Sequence, residues 1–254
     1  MGRRLATAGV LIGALLAALL LLPPVGRAIL ATVIAALAAF EWARLCRLST
    51  FFTWVYAAAV VVALGLAYHH AQLPAFALAA VFWIGIAPAW MWRGVSASHT
   101  RLLAIAGFVV LVPASLAMAV LPGLQVILVL ALVSLTDAGA YFVGSAWGRH
   151  KLAPSISPGK TREGALGGLA VALVYAIICA AFVEGIAWVP YLLSAALLAV
   201  LSIVGDLFES AVKRQAGAKD SGTLLPGHGG VLDRVDSATA ALPLAALLIP
   251  LVSR

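Results

Sequence analysis

Nine predominantly apolar runs, parted by short polar breaks, set the pattern of this chain: roughly residues 5–22, 25–45, 51–68, 73–92, 102–121, 124–142, 165–188, 190–207 and 235–252. A helix that crosses the hydrocarbon core of a bilayer takes about 20 such residues, so each run predicts a transmembrane helix. The first run follows Gly-Arg-Arg in the manner of a signal peptide. It lacks a small-residue cleavage site, however, and another apolar run follows at once, so it too reads as a helix. Pro88, Pro113 and Pro243 fall inside runs and are expected to kink their helices.

Composition agrees. Of 254 residues 64% are hydrophobic and 10% charged, and the mean hydropathy is +1.12, outside the range of soluble globular proteins. The expected fold is an all-α polytopic membrane protein, a single integral domain over residues 1–254 with about nine transmembrane helices.

The net charge of +7 would suggest a nucleic-acid partner in a soluble protein, so the placement of the basic residues matters. Nine alternating spans put Arg3, Arg4, Arg44, Arg47, Arg93, Arg101, Arg149, Lys151, Lys160, Arg162, Lys213, Arg214, Lys219 and Arg234 on one side, and only Arg27 and Arg254 on the other. The positive-inside rule makes the rich side cytoplasmic, with the N-terminus inside and the C-terminus outside. The excess charge is then topological, and no nucleic-acid partner is expected. Two cysteines, Cys46 and Cys179, are too few for a thiolate metal site and read as packing residues.

Texture divides the chain. Residues 1–133 are plain apolar helices with short breaks, expected to be scaffold. Residues 134–254 carry two longer polar loops, 144–164 and 212–234, and are expected to be the catalytic half. Within the scaffold, Glu41 is expected to snorkel to the interface or to pair with Arg44. The glycines 164, 167 and 168 read as helix-packing positions.

The second loop and its flanks gather charge. If the end of the eighth helix stays helical, Asp206, Glu209 and Lys213 stand at i, i+3 and i+7 on one face. Lys213 is a long reach from Asp206, so a metal or another helix is the better partner. Asp233 and Asp236 open the ninth helix, again on one face. Capping of that helix would explain them in part. A few hard carboxylate oxygens, completed by water and substrate phosphates, are also how proteins hold magnesium, and Asp206, Asp233 and Asp236 together offer that shell. Between the helices, glycines surround His228 and leave backbone amides free to approach a phosphate or ribose.

In the other loop Gly159-Lys160-Thr161 has the outline of a Walker A motif, which would need glycine where Pro154 stands and a preceding strand, so that reading is rejected. A helix N-terminus with Ser157, Lys160 and Thr161 nearby is a phosphate cradle in its own right. Asp137, inside an apolar run, is expected to pair with a base or to face the site.

The segments GDLFES, KR, KDSG, LPGHGG and LDRVDS between residues 202 and 236 closely resemble the signature of the phosphatidate cytidylyltransferases, the CDP-diacylglycerol synthases. The likeness extends to TDAGAYFVG and HKLAPSISPGKTREG, and more loosely to LLPPVG near the first break. The resemblance implies a multi-helix, homodimeric enzyme of the bacterial inner membrane, with its site on the cytoplasmic face. It implies that CTP and phosphatidic acid, a membrane lipid, are joined with release of pyrophosphate, using magnesium and leaving open a second, monovalent cation. By residue, it implies that Asp206 and Asp233 hold the metal with Asp236 close by. Lys213, Arg214, Lys219 and Arg234 would neutralise phosphates, while Asp220 and His228 orient loop and nucleotide.

Two other readings share parts of the pattern. A CTP-dependent lipid kinase would give a phospholipid and CDP instead. An ion transporter would spread its ionisable groups through helix centres, whereas here most lie at one membrane face.

Overall fold

The structure, a computed structural model, describes residues 2–224 and 229–252. Its helices are α1 (Gly2–Leu21), α2 (Pro24–Leu45), α3 (Thr50–His70), α4 (Gln72–Val81), α5 (Ala87–Arg93), α6 (Thr100–Val120), α7 (Gly123–Trp147), α8 (Arg162–Ala180), α9 (Trp188–Gln215) and α10 (Leu232–Val252). A π-helical turn, Phe82–Ile86, joins α4 and α5 into one rod. Among the described residues eight rods are long and apolar enough to cross a membrane, and α1 adds the apolar stretch Ile12–Leu21. The chain is an integral membrane protein with the helical architecture its hydropathy predicts.

Departures from the expected boundaries have local causes. The π turn falls just before Pro88, whose missing N–H cannot serve a regular helical ladder. The run expected to continue to residue 188 stops at Ala180, and Gly185 takes φ 75° in the turn that follows. α9 then starts at Trp188 with Pro190 in its first turn, where no backbone donor is required.

At its far end α9 runs two turns beyond the expected 207. Lys213 and Arg214 there suit the negative end of the helix dipole. Gly217, at φ 73°, closes the helix: its N–H donates to the Arg214 carbonyl and that of Ala218 to the Lys213 carbonyl, a Schellman stop. The extension matters because it keeps Asp206, Glu209 and Lys213 on one continuous helix.

Among the described residues one small sheet supplements the helices. β1 (Lys151–Ala153) and β2 (Ser157–Thr161) pair antiparallel, with Lys151 opposite Thr161 and Ala153 opposite Ser157. A strand does precede Gly159-Lys160-Thr161, but it belongs to a two-stranded hairpin turning through Pro154, so the rejection of a Walker A loop stands.

Packed aromatic rings tie the two halves of the chain together. Phe208 of α9 sits among Trp42 of α2, Phe82 and Trp83 of the π turn and Trp90 of α5, with ring centroids 5.3 to 6.4 Å away. Trp42 Nε1 donates to the Leu103 carbonyl, Tyr56 to that of Ala104 and Gln215 Nε2 to that of Leu45. Phe208 faces this apolar cluster, so the acidic residues beside it on α9 turn toward α10 and the hairpin.

Following the alternation of the helices, Arg44, Arg93, Arg101, Arg149, Lys160, Lys213, Lys219 and Arg234 fall at the end of the bundle that carries the polar loops, whereas Arg27 lies near the start of α2 at the other end.

Candidate active site

At that end a cavity of about 500 Å3 opens between α7, α8, α9, α10 and the hairpin. Asp137 of α7, Asp206 of α9, and Asp233 and Asp236 of α10 line it, together with Ser157, Lys160 and Thr161 of β2 and Tyr141 of α7. Packing brings these helices close. A Cβ at Gly205 would lie 2.8 Å from the Asp236 carbonyl oxygen, so glycine lets α9 and α10 approach where both turn carboxylates inward.

Two lysines meet the acidic groups. Lys160 Nζ forms an ion pair with Asp206 Oδ2, each side chain about a quarter exposed. Ser210 Oγ also donates to Asp206 Oδ1, at 3.3 Å. Lys213 Nζ bridges Glu209 Oε2 at 2.7 Å and Asp233 Oδ1 at 2.8 Å, all three largely buried. The partner of Lys213 on another helix is therefore Asp233. Asp233 further accepts from the backbone N–H of Ser221 and of Gly230. Asp137 faces the site and accepts from Ser237 Oγ at 3.3 Å.

The hairpin is held at its base. Thr161 is buried and its Oγ1 accepts from Gly164 N at 3.1 Å, capping α8. Glu163, which the sequence did not single out, accepts from the backbone N–H groups of Arg149 and His150 and contacts His150 Nδ1 at 2.6 Å. It thereby fastens the end of α7 to the start of α8.

The remaining sequence candidates are placed differently. Arg214, Lys219 and Asp220 are exposed and do not line the cavity, and Arg214 donates to the Ala218 carbonyl. Arg234 lies on another side of α10, beside a smaller cleft among α1, α2, α6 and α7. His228 lies outside the described residues.

The expectation for Glu41 is corrected. It neither snorkels nor pairs with Arg44: it is fully buried, and its carboxylate accepts from Ser221 Oγ, Val231 N and Leu232 N. Its only signal in the sequence was a carboxylate inside an apolar run. Cys46 does read as a packing residue, buried at the end of α2, where burial pushes its thiol up to about 12.

The cavity wall suits a hard cation. Four aspartates line it against two lysines, Lys160 on the wall and Lys213 beside Asp233, and an anionic wall admits a polyphosphate only with added positive charge. Glu209 Oε1, buried beside Asp236 of this wall, meets no hydrogen-bond donor among the described residues. Among the described residues no three acidic, His or Cys side chains already converge as a cage. Magnesium is commonly held by one or two carboxylates with the rest of its shell from water and substrate, and the donor set fits that mode.

A helical membrane protein with this acidic, lysine-bridged cavity falls into a defined class: residues 2–252 match the cytidylyltransferase family model, and the chain belongs to that family. Among its relatives, the phosphatidate cytidylyltransferase of Pseudomonas aeruginosa is 42% identical over 97% of this chain and 96% of its own length. Those of Haemophilus influenzae and Bacillus subtilis are 51% and 49% identical over shorter stretches, 44% and 46% of this chain and 41% and 44% of theirs.

Proposed function

We propose that this protein is a phosphatidate cytidylyltransferase, converting CTP and phosphatidic acid into CDP-diacylglycerol and pyrophosphate. The observation that carries the mechanism is the cavity of about 500 Å3 at which Asp206 and Asp233, from separate helices, each meet a lysine. A lipid phosphate oxygen is already an anionic nucleophile, so the site needs position and charge neutralisation more than a protein nucleophile.

The lipid phosphate oxygen bonds to the α-phosphorus of CTP in line as the bond from that phosphorus to the bridging oxygen of the β-phosphate breaks; pyrophosphate leaves with the electron pair. Lys160, on the hairpin, turns from Asp206 to the incoming phosphates, with Ser157 and the amides at the start of α8 beside it. Lys213 holds Asp233 aimed at the cavity. Arg214, Lys219 and Arg234 form an outer basic field that draws the anionic substrates in, and Asp220 and His228 order the loop around the nucleotide. Asp206 and Asp233, with Asp236 close by, would hold a magnesium ion, which would supply positive charge against the leaving pyrophosphate.

The cation-rich end of the bundle supports a cytoplasmic site in a bacterial inner membrane, with the N-terminus inside and the C-terminus outside. The lipid then enters from the membrane and CTP from the cytosol, and the family resemblance favours a homodimer.

Purified protein in detergent, given phosphatidic acid and labelled CTP with and without magnesium, tests the reading. Labelled liponucleotide and pyrophosphate in the magnesium arm are expected. A phosphorylated lipid with CDP, or no labelled lipid, would overturn it.

A further inference from the structure

We infer that Glu41 of α2 is a positioning residue for cytidylyl transfer: its buried carboxylate holds the loop before α10 in the conformation that aims Asp233 and Asp236 into the cavity. The inference rests on the proposed activity and assigns part of the machinery to the N-terminal half, which otherwise packs as scaffold.

Glu41 is 0% exposed, near the C-terminal end of α2. Oε2 accepts from Ser221 Oγ at 3.0 Å and Leu232 N at 2.8 Å, and Oε1 accepts from Val231 N at 3.1 Å. Val231 and Leu232 stand where α10 begins, and Val231 has no side-chain oxygen to serve the free amides of the first turn. A carboxylate from another helix does so instead, at the end of α10 where the dipole favours an anion.

The same loop is gripped from its other side by Asp233, which accepts from Ser221 N and Gly230 N. Ser221 thus donates its hydroxyl to Glu41 and its amide to Asp233, and the two carboxylates share one strap of backbone. A Cβ at Gly222 or Gly230 would run into the Glu41 carboxylate, so both glycines are required by close approach. An amide at position 41 would turn an N–H2 donor toward groups that are themselves donors.

Two lesions on opposite sides of this contact test the inference: Glu41→Gln alters the acceptor, and Gly230→Ala pushes the strap off it. In each purified full-length variant kcat and KM are measured with CTP and phosphatidate in mixed micelles, alongside hydrogen exchange of peptides covering 217–236. Both variants are expected to lose kcat on the order of 100-fold, the cost of about 1 Å of misplacement. KM for phosphatidate should stay within about 2-fold, and protection should fall over 221–236 while α2 and α6 keep theirs.

Wild-type kcat in either variant would overturn the inference. So would protection lost equally from α2 and α6, which would make Glu41 a general packing group. Should Glu41→Gln not fold, Gly230→Ala alone decides. If wild-type protein makes no CDP-lipid in the same assay, the proposed activity fails; if it does and the variants match it, the positioning of Glu41 fails.

Discussion

Lys213 of α9 and Asp233 of α10 meet at 2.8 Å, and the same ammonium reaches Glu209 at 2.7 Å, so one cation ties the end of one helix to the start of the next. All three side chains are largely buried. Taking charges out of water costs more than their attraction returns unless each keeps its partners, which makes this cluster more sensitive to losing one member than to losing a balanced pair.

Lys213→Met is therefore expected to destabilise the protein by about 3 kcal/mol, on the order of 5–10 °C in apparent Tm. Adding Glu209→Gln should recover part of that loss, because one uncompensated carboxylate is removed. Activity should recover in neither variant. Thermal unfolding in detergent and the liponucleotide assay check both halves.

The other ion pair should behave oppositely. Lys160 and Asp206 are each about a quarter exposed, so water screens them, and Lys160→Met is expected to cost about 1 kcal/mol or less. Its effect should fall on catalysis instead, as a raised KM for CTP and a lowered kcat. An apparent Tm lowered as far as that of Lys213→Met would contradict this ranking.

Gly205→Val would place a Cβ 2.8 Å from the Asp236 carbonyl oxygen, with further branches behind it. Overpacking of this kind costs about 1–3 kcal/mol, and here it also spreads the helices that carry Asp206 and Asp236. Turnover should fall further than the loss of stability accounts for, measured at a temperature where the variant remains folded.

Chelation should abolish turnover and added magnesium restore it, whereas Asp233→Asn should stay inactive at any magnesium concentration with the helical circular dichroism intact. Near-normal activity of Asp233→Asn would remove Asp233 from the mechanism.

Cys46 offers a pH-dependent check. Burial raises its thiol to about 12, so at pH 8 only about one in ten thousand is thiolate, and the folded protein should resist alkylation there. The unfolded chain ionises nearer the ordinary thiol value of 9.0. The folded state therefore binds more protons between 9.0 and about 12, and this residue's contribution to stability falls as pH rises through that window. Mass spectrometry after alkylation, with and without denaturation in SDS, reads the first effect directly.

Much of the molecule was legible in the chain. Apolar runs long enough for a bilayer gave the spans, because that length is a one-dimensional requirement. The spacings of Asp206 and Glu209 and of Asp233 and Asp236 put each pair on a helix face before any packing was known. The hairpin was not legible: Gly159-Lys160-Thr161 and its neighbours lack the apolar alternation of a buried strand, and their pairing is fixed by the ends of α7 and α8.

The sequence by itself determined that the chain is a bundle of membrane helices and that its charges collect at one end, since composition, period and local spacing are properties of neighbours along the chain; its motifs, taken segment by segment, resemble the cytidylyltransferase signature. Only the tertiary structure decided which charge meets which: Lys160 with Asp206, Lys213 with Asp233, and Glu41 with a helix start 191 residues away. Such pairings depend on how helices pack across the bundle. A buried carboxylate takes whatever donors that packing delivers, and local sequence carries no record of them.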